Sequence, residues 1–391
     1  MQYMHFIYNN LKFEPRMKGA NMSCDISVIV AFDNNDCLMA NFLDQLLPAT
    51  NWDDKEIVLS SDHCLNEDTL QVARNAAAKH DFIKLVENNK KLGYSKANNV
   101  AVDASVGKYL LFMNTDIFPE HGSIEALRKV FETTEHIGCA QGPLAFPQTY
   151  KIQNTGHVFN DYMNHHCYGG RLLDDAVVKQ AGTRQALNSA FLMMPRAIFE
   201  EAGRFNEFYF NAYDGMELTL KIGRMGYKLL YVPEALAFHS TGGSRDYISH
   251  NNEYQSKYFY AHLGKDIVTD LPEYLAPQLE SANVDFNAEY TVIDCTFSMT
   301  WAQLLSDLKL AWKEHVVVFD RDKTNVDFYR NLRPEVKSTP GPILFLVNHF
   351  ADVAANKRWF KERAALGYVN DIVIDFYGNA GRIGKNELIR I

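Results

Sequence analysis

The feature of this chain best suited to chemistry is an amide and a carboxylate at the end of an apolar segment, Asn114-Thr115-Asp116. The five residues before it, 109–113, are apolar without alternation, which is typical of a strand buried on both faces of a mostly parallel sheet. Ligands of such sheets bind at the carboxyl ends of the strands. A carboxylate at that position can hold a divalent cation against a diphosphate. The alternative is an ordinary turn, because Asn, Thr and Asp are common turn formers.

The elements that must position this triplet are alternating strands and helices. The sequence predicts a first strand and polar loop at 25–34, a helix at 37–47, a second strand and loop at 55–62, a helix at 69–80 and a short strand at 82–86. Strands that alternate with helices favour an α/β fold with a doubly wound, mostly parallel sheet.

Composition and charge exclude several classes of protein. Lys and Arg number 39 against 48 Asp and Glu, so the net charge is −9, which argues against a nucleic-acid partner because phosphate binding needs a basic face. The six cysteines form no CxxC pair, so a zinc or iron–sulfur cluster is not expected. The sequence contains no run of about 18 apolar residues and no signal-like segment in its N-terminal extension, 1–24. We therefore expect a cytoplasmic protein, with contact at the inner face of the membrane and homo-oligomerisation left open.

A second, smaller α/β domain is expected at 287–391, after a first domain at 25–264 and a linker at 265–286. Its predicted strands are 290–294, 316–320, 343–347 and 372–376, with a helix at 352–366. Apolar residues from Trp301 to Trp312 fall on one predicted helical face. Core packing explains this face better than a membrane surface, because Asp307 and Glu314 lie on its polar side.

Several ordered motifs of the first domain resemble family 2 glycosyltransferases with the GT-A fold. Besides the segments above, the matching segments are 93–104, 187–196, 199–207, Asp214-Gly215-Met216-Glu217-Leu218, 226–228, 232–234 and Phe238-His239-Ser240. The resemblance covers roughly residues 25–262. The subgroup it is similar to contains rhamnosyltransferase-like enzymes of bacterial surface polysaccharides.

The resemblance implies a nucleotide-sugar donor and a Mg2+ or Mn2+ ion. Asp116 is the expected metal ligand, and His239 matches a second ligand that follows a Val-Pro-Glu strand in such enzymes. The two side chains are therefore expected to lie close together in space. A purely structural role for His239 remains the alternative. Asn114 stands where many members have Asp, which would weaken the hold on a cation.

For the nucleoside, the resemblance implies contacts from the ends of the first two strands. The candidates are Ala31, Asp33, Asp62, Asn114 and Thr115. Two of these positions depart from the family pattern, because Ala31 replaces the usual Pro and Ser60-Ser61-Asp62 stands where an Asp pair is common. Asp62 could accept a hydrogen bond from a base, but a turn or cap role is equally open.

The catalytic base is expected at the start of the helix that leads to Gly226. The usual catalytic Asp of the family aligns with Gly215, so Asp214 is the nearest carboxylate and the candidate base, with Glu217 as base or orienting partner. The alternative is that both acids only favour the helix N-terminus electrostatically.

Residues 141–184 are rich in aromatic and polar side chains and are expected to form a flexible lid on the side of a glycan or lipid-linked acceptor. The adjacent His165 and His166 lack the spacing of a metal site. We therefore expect an inverting glycosyltransferase whose C-terminal unit serves acceptor docking or self-association rather than the chemical step. The alternative is a non-catalytic nucleotide-sugar or glycan-binding member of an assembly. A dinucleotide-dependent oxidoreductase is disfavoured because no GxGxxG follows the first strand.

Overall fold

The structure is a computed structural model that describes residues 24–34, 36–160, 163–240, 249–296, 301–317, 338–350, 353 and 357–383. The strands are β1 Ile26–Phe32, β2 Lys55–Ser61, β3 Ile83–Glu87, β4 Tyr109–Met113, β5 Ile117–Pro119, β6 Ile137–Gln141, β7 Leu144–Ala145, β8 Ile152–Asn154, β9 His157–Phe159, β10 Asn164–His166, β11 Gly182–Thr183, β12 Phe191–Pro195, β13 Lys228–Tyr231, β14 Ala237–His239, β15 Glu289–Asp294, β16 Ala311–Val317, β17 Ile343–Val347, β18 Asp371–Asp375 and β19 Ala380–Ile383. The helices are α1 Asp36–Leu46, α2 Glu67–Lys79, α3 Tyr94–Asp103, α4 Ser123–Thr133, α5 Arg196–Glu201, α6 Asp214–Arg224, α7 Ser249–Leu263, α8 Leu271–Ser281, α9 Trp301–Asp307 and α10 Lys357–Ala365.

The first domain is built on an eight-stranded sheet with the order β11-β13-β6-β12-β4-β1-β2-β3. Strand β1 lies between β2 and β4, and all three are parallel. Strand β12 runs antiparallel between β4 and β6. All five residues of β4 are buried, as its unbroken apolar sequence predicts.

Apolar layers cover both faces of this sheet. Val28 and Val30 of β1 pack into one core with helices α1, α2 and α4, whereas Ile29 packs into the other with α3, α5 and α6. This alternation is the expected consequence of side chains that point to opposite faces along a strand. The predicted doubly wound α/β class is confirmed.

A small second sheet extends the first domain beside the end of β4. Its order is β5-β14-β7-β8, and it begins directly after the Asn114–Asp116 turn. Strand β14 pairs antiparallel with β5, which sets His239 opposite Ile117. A residue 123 positions away (239 minus 116) is thereby brought next to the turn.

The predicted second domain is also present. Its five-stranded sheet has the order β16-β15-β17-β18-β19, with parallel pairing except for β19. Strand β17 has the predicted bounds, and β15 and β18 differ from theirs by one residue. Residues 318–320 of the predicted second strand lie outside the described residues, as do 352 and 354–356 of the predicted helix. The N-terminal extension up to residue 23 also lies outside them.

The expected helical stripe from Trp301 to Trp312 is wrong in its second half. Helix α9 ends at Asp307, Lys309 takes a left-handed conformation with φ of 57°, and Trp312 lies on β16. The Trp301 and Trp312 rings still meet, with centroids 4.7 Å apart. Leu304, Leu305 and Leu308 are buried, which agrees with the core-packing interpretation.

The two domains share an apolar core. Residues 152–178 of the first domain and helix α8 contribute to the same cluster as the inner face of the C-terminal sheet. Helix α8 occupies half of the segment that we expected to be a linker. Within the described residues, no helix has the length and apolar character needed to cross a membrane.

Candidate active site

The carboxylate of Asp116 faces the imidazole of His239 at the carboxyl end of β4. The distance from Asp116 Oδ2 to His239 Nε2 is 3.3 Å, and both side chains are largely buried, with 13% and 9% exposure. The pairing of β14 with β5 fixes this approach, and the Ser240 amide donates to the Asp116 carbonyl at 2.9 Å. The structure therefore brings together the two residues that we expected to lie close together.

The second nitrogen of His239 contacts a buried amide. Gln153 Oε1, on β8, lies 2.5 Å from His239 Nδ1. Since an amide oxygen only accepts hydrogen bonds, the proton of the imidazole belongs on Nδ1. Nε2 then carries a lone pair directed towards the Asp116 carboxylate.

This donor set fits a hard or borderline divalent cation. A carboxylate oxygen and an imidazole nitrogen suit Mn2+, and Mg2+ is commonly held by one or two carboxylates with phosphate and water completing its shell. Among the described residues, no cluster of three or more His, Cys, Asp and Glu side chains could hold a metal. Two protein ligands therefore leave most of the coordination shell to a diphosphate and water.

Asn114 and Thr115 lie between β4 and this pair. The backbone amide of Asn114 donates to the Ala190 carbonyl at 3.2 Å. The backbone carbonyl of Asn114 accepts from the amide of Ile117. The side-chain Oδ1 of Asn114 is buried and has no hydrogen-bond partner among the described residues. A buried acceptor without a partner is costly, so a bound hydroxyl or water would satisfy it.

The expected nucleoside contacts lie at the ends of β1 and β2, where Ala31 and Ser60 are in register. Both oxygens of Asp62 are engaged there by the chain itself, because they accept from the amides of Leu92 (2.5 Å) and Gly93 (3.1 Å) and pair with Lys91 Nζ (3.2 Å). Lys91 also pairs with the partly exposed Asp33. Asp62 therefore stabilises the turn that leads into α3, and its nucleoside role stays a prediction.

Asp214 is a buried carboxylate at the first position of α6. It is 5% exposed, and Ser189 Oγ donates to its Oδ1 at 2.7 Å. Burial raises the pKa of the Asp214 carboxyl above its ordinary value, because the charged form loses solvation. A carboxylate with a raised pKa is a stronger base than one in water.

Gly215 cannot be replaced by the Asp that the family pattern places there without a shift of the chain. A Cβ at Gly215 would lie 2.7 Å from the Ser189 backbone nitrogen and 2.7 Å from the Ser189 Cβ. Ser189, the residue that holds Asp214, thus occupies the space that a side chain at 215 would need. A side chain at position 215 would therefore require Ser189 to move.

Glu217 is engaged differently. It is also buried, at 4% exposure, but its Oε1 pairs with Lys221 Nζ at 2.5 Å and accepts from Asn206 Nδ2 at 3.0 Å. Glu217 is therefore held by two neighbouring side chains, and the choice between its base role and its orienting role stays a prediction.

Tyr94 is a site residue that the sequence analysis missed. Its hydroxyl donates to the Ser189 carbonyl at 3.1 Å. Burial, together with the nearby carboxylates of Asp214 and Asp116, raises the pKa of this hydroxyl, so it remains a neutral donor. The available signal was its place directly after Gly93, at the start of a segment that carried the family resemblance.

The segment 141–184 differs from the flexible loop that we expected. It contains β7 to β10 and packs against the C-terminal domain, where His165 stacks on Phe376 with centroids 5.6 Å apart. Asn379 Nδ2 donates to the Gly169 carbonyl, and Arg171 Nε donates to Asn379 Oδ1, both at 3.0 Å. Asp161 and Tyr162 lie outside the described residues.

Comparisons with known proteins agree with this architecture. The model of the family described as "Glycosyltransferase like family 2" matches residues 25–254, more than half of the chain. The chain is 23% identical over 228 residues to protein y4gI of Sinorhizobium fredii, an alignment that covers 56% of this chain and 25% of that protein. It is 25% identical over 229 residues to the O-antigen biosynthesis protein RfbC of Myxococcus xanthus. This alignment covers 56% of this chain and 18% of that protein. The chain thus spans a quarter or less of the length of these two relatives.

Two solved structures match part of this chain. A mannosyltransferase of Pyrobaculum calidifontis in complex with GDP-Man and Mn2+ has a TM-score of 0.43 and 19% identity, over 59% of this chain and 62% of that one. GalNAc-T7 with UDP, GalNAc and Mn2+ has a TM-score of 0.50 and 14% identity, over 75% of this chain and 56% of that one. The family match over residues 25–254, on the sheet described above, shows that this chain belongs to the glycosyltransferase-like family 2 and has the predicted GT-A fold.

Proposed function

We propose that this protein transfers a hexosyl or deoxyhexosyl group from a nucleotide sugar to a hydroxyl of a glycan or lipid-linked glycan, with inversion and with a divalent cation. The observation that carries the proposal is the facing pair of Asp116 and His239 at the carboxyl end of β4. The name of the relative RfbC, an O-antigen biosynthesis protein, supports a glycan acceptor.

Asp116 and His239 are assigned to the donor diphosphate. Mg2+ or Mn2+, when bound there, supplies Lewis-acid stabilisation of the negative charge that develops on the departing nucleoside diphosphate. Asn114 is assigned to a donor hydroxyl, because its buried Oδ1 has no hydrogen-bond partner among the residues that the structure describes. Thr115, between Asn114 and Asp116, is assigned to the same donor-side turn.

Asp214 is assigned the role of general base. It takes the proton of the acceptor hydroxyl while that oxygen forms a bond to the anomeric carbon and the bond from this carbon to the diphosphate oxygen breaks. Burial favours this transfer by raising the carboxyl pKa, and the Ser189 hydroxyl orients the carboxylate through its 2.7 Å hydrogen bond. Attack opposite to the leaving group inverts the anomeric configuration.

The C-terminal domain is assigned to the acceptor side. Its turn after β18 contacts residues 165–171 of the first domain through hydrogen bonds and ring stacking, and it contributes none of the donor-site residues named above. A shared apolar core ties the two domains together, so removal of the C-terminal domain would expose that core. Substitutions in the interface are therefore a better test than truncation.

The alternative function is a non-catalytic member of a glycan assembly that binds a nucleotide sugar or glycan. The engagement of both Asp62 oxygens by the chain favours it, because one expected nucleoside contact is then occupied. The departures from the family pattern at Ser60, Asn114 and Gly215 also favour the non-catalytic function.

Turnover of donor separates the two functions. Purified protein is incubated with UDP-, GDP- and dTDP-sugars in the presence of Mn2+, and released nucleoside diphosphate is measured. We expect slow hydrolysis of at least one donor that is lost in Asp116→Asn and on chelation of the metal. Binding of a donor without hydrolysis would support the non-catalytic function instead. So would binding of a donor without transfer to any of the added glycan acceptors.

A further inference from the structure

We propose that Gln153 is a positioning residue that holds the imidazole of His239 in the tautomer and orientation required for a divalent cation. This inference rests on the proposed function of the Asp116–His239 pair. Gln153 lies in the irregular, aromatic-rich part of the sequence, 86 positions from His239, and belongs to none of the motifs that carried the family resemblance.

The first step of the argument is the tautomer. Gln153 Oε1 lies 2.5 Å from Nδ1 of His239, and an amide oxygen can only accept. The neutral imidazole has one N–H, so the proton is on Nδ1 and Nε2 keeps its lone pair. Metal-binding histidines commonly have this arrangement, in which the outer nitrogen donates to a fixed acceptor.

The second step is the contact on the other side of the ring. With the proton on Nδ1, the Nε2 lone pair faces Asp116 Oδ2 across 3.3 Å. Two acceptors at this distance in a largely buried site repel each other unless a cation lies between them or beside them. The hydrogen bond from Nδ1 to Gln153 therefore turns an ordinary His–Asp pair into an arrangement that favours a bound cation.

The third step is the rigidity of Gln153 itself. Its side chain is buried at 8% exposure, and its backbone carbonyl lies 3.2 Å from Nδ1 of His166. Both backbone groups of its neighbour Ile152 are hydrogen-bonded. The Ile152 carbonyl accepts from the Gly170 amide at 2.8 Å, and the Ile152 amide donates to the Arg171 carbonyl at 2.7 Å. The amide oxygen is thus presented by a strand that is fixed on both sides.

The charge of Gln153 also matters. A neutral amide orients the ring without adding a second negative charge to a site that must bind a diphosphate. A Glu at this position would keep the acceptor and a Leu would remove it, so the two variants separate hydrogen bonding from volume.

The test uses Mn2+ as the probe, with free Mn2+ measured by electron paramagnetic resonance in titrations of the full chain. We expect Gln153→Leu to weaken Mn2+ binding by about 10- to 100-fold, the usual effect of losing such a partner, and Gln153→Glu to bind nearly as tightly as the wild type. The control is Gln185→Leu. Gln185 bonds to Val268 and Asp270 instead of site residues, and its loss should leave Mn2+ affinity unchanged.

A second readout needs no substitution at Gln153. In 15N spectra of the metal-free wild-type protein, with the His239 signals assigned by comparison with His239→Asn, we expect a protonated Nδ1. An unprotonated Nδ1, or a Gln153→Leu variant whose Mn2+ affinity is within twofold of the wild type, overturns this inference. If Mn2+ binds and Asp116→Asn abolishes that binding, such a result leaves the proposed function standing. A wild-type protein that binds no Mn2+ overturns both.

Discussion

Asp116 and Asp62 follow buried parallel strands of the same sheet, yet their carboxylates have different surroundings. Asp62 accepts from two backbone amides and pairs with Lys91, so the chain itself satisfies its oxygens. Asp116 instead faces the imidazole of His239, beside Asn114 Oδ1, which has no hydrogen-bond partner within the part of the chain that the structure describes. An Asp at a strand end is therefore a candidate ligand where its carboxylate faces another metal-ligating side chain instead of backbone donors.

The C-terminal sheet supports the same comparison. Asp375, at the end of β18, accepts from the amides of Phe350, Tyr377 and Asn379 and from the Asn379 side chain, all at 2.8–2.9 Å. It is fully buried and holds the turn that contacts the first domain. Its position resembles that of Asp116, but its hydrogen bonds are those of a structural carboxylate.

The largest expected effect is that of Asp116→Asn. Losing the charged metal ligand should remove metal-dependent stabilisation of the leaving group, which is worth several kcal/mol, so transfer should fall by about a thousandfold or more. Thermal unfolding should be nearly unchanged, because among the described residues this carboxylate accepts from no backbone amide. Transfer at the wild-type rate in the presence of a chelator would contradict the metal role.

The next effect concerns the two acids of α6. Asp214→Asn should lower turnover by about 10²- to 10⁴-fold with little change in nucleotide affinity, as expected for loss of a general base. Glu217→Gln should cost less, since Glu217 is already paired with Lys221. The two variants are compared at saturating donor. A greater loss in Glu217→Gln would reverse the assignment.

Asp62→Asn should act on stability instead of turnover. It places an amide NH2 against the backbone donors of Leu92 and Gly93, and an unsatisfied buried donor costs about 1–3 kcal/mol. Urea unfolding measures this change. Asp33→Asn is the matched control, because Asp33 shares Lys91 but is 43% exposed and should change stability by less than about 1 kcal/mol. A loss of donor affinity in Asp62→Asn with unchanged stability would restore the nucleoside role.

The smallest effect is a pH dependence that arises from His165. Burial lowers the pKa of His165 to about 4, from 6.5 in the unfolded chain. The unfolded state therefore binds more protons below pH 6.5, and stability should fall as the pH drops from 7 towards 4. His165→Phe keeps the stacking on Phe376 and should reduce the loss between pH 7 and 5 by roughly 1–2 kcal/mol. If the unfolding free energies of the wild type and of His165→Phe had equal slopes against pH, this prediction would be contradicted.

The sequence predicted the buried strands well, because an unbroken apolar run such as 109–113 or 343–347 has few alternatives to a strand within a sheet. It did not indicate helix α8, which lies within the segment where two prolines led us to expect a linker. Pro272 lies in the first turn, which tolerates proline, and Pro277 lies inside the helix. Burial of Leu271, Leu275 and Leu279 in the shared core overrides the local cost of Pro277.

Sequence position alone pointed to Asp116, at the end of a buried strand. The family resemblance pointed to His239 and Asp214. Gln153 and Ser189 were not recognisable, because their roles depend on contacts across 86 and 25 positions of the chain. The close packing of Gly215 against Ser189, which excludes a side chain at 215, is likewise a property of the folded chain alone.

The most direct test of the central claim is the location of a bound metal. Crystals are soaked with Mn2+ and a nucleoside diphosphate, and anomalous scattering is measured at the manganese edge. The account predicts a peak about 2.0–2.3 Å from both Asp116 Oδ2 and His239 Nε2, in contact with the diphosphate, with Gln153 Oε1 still hydrogen-bonded to Nδ1. A diphosphate bound without a peak at this pair, or a peak held by other residues, would contradict it.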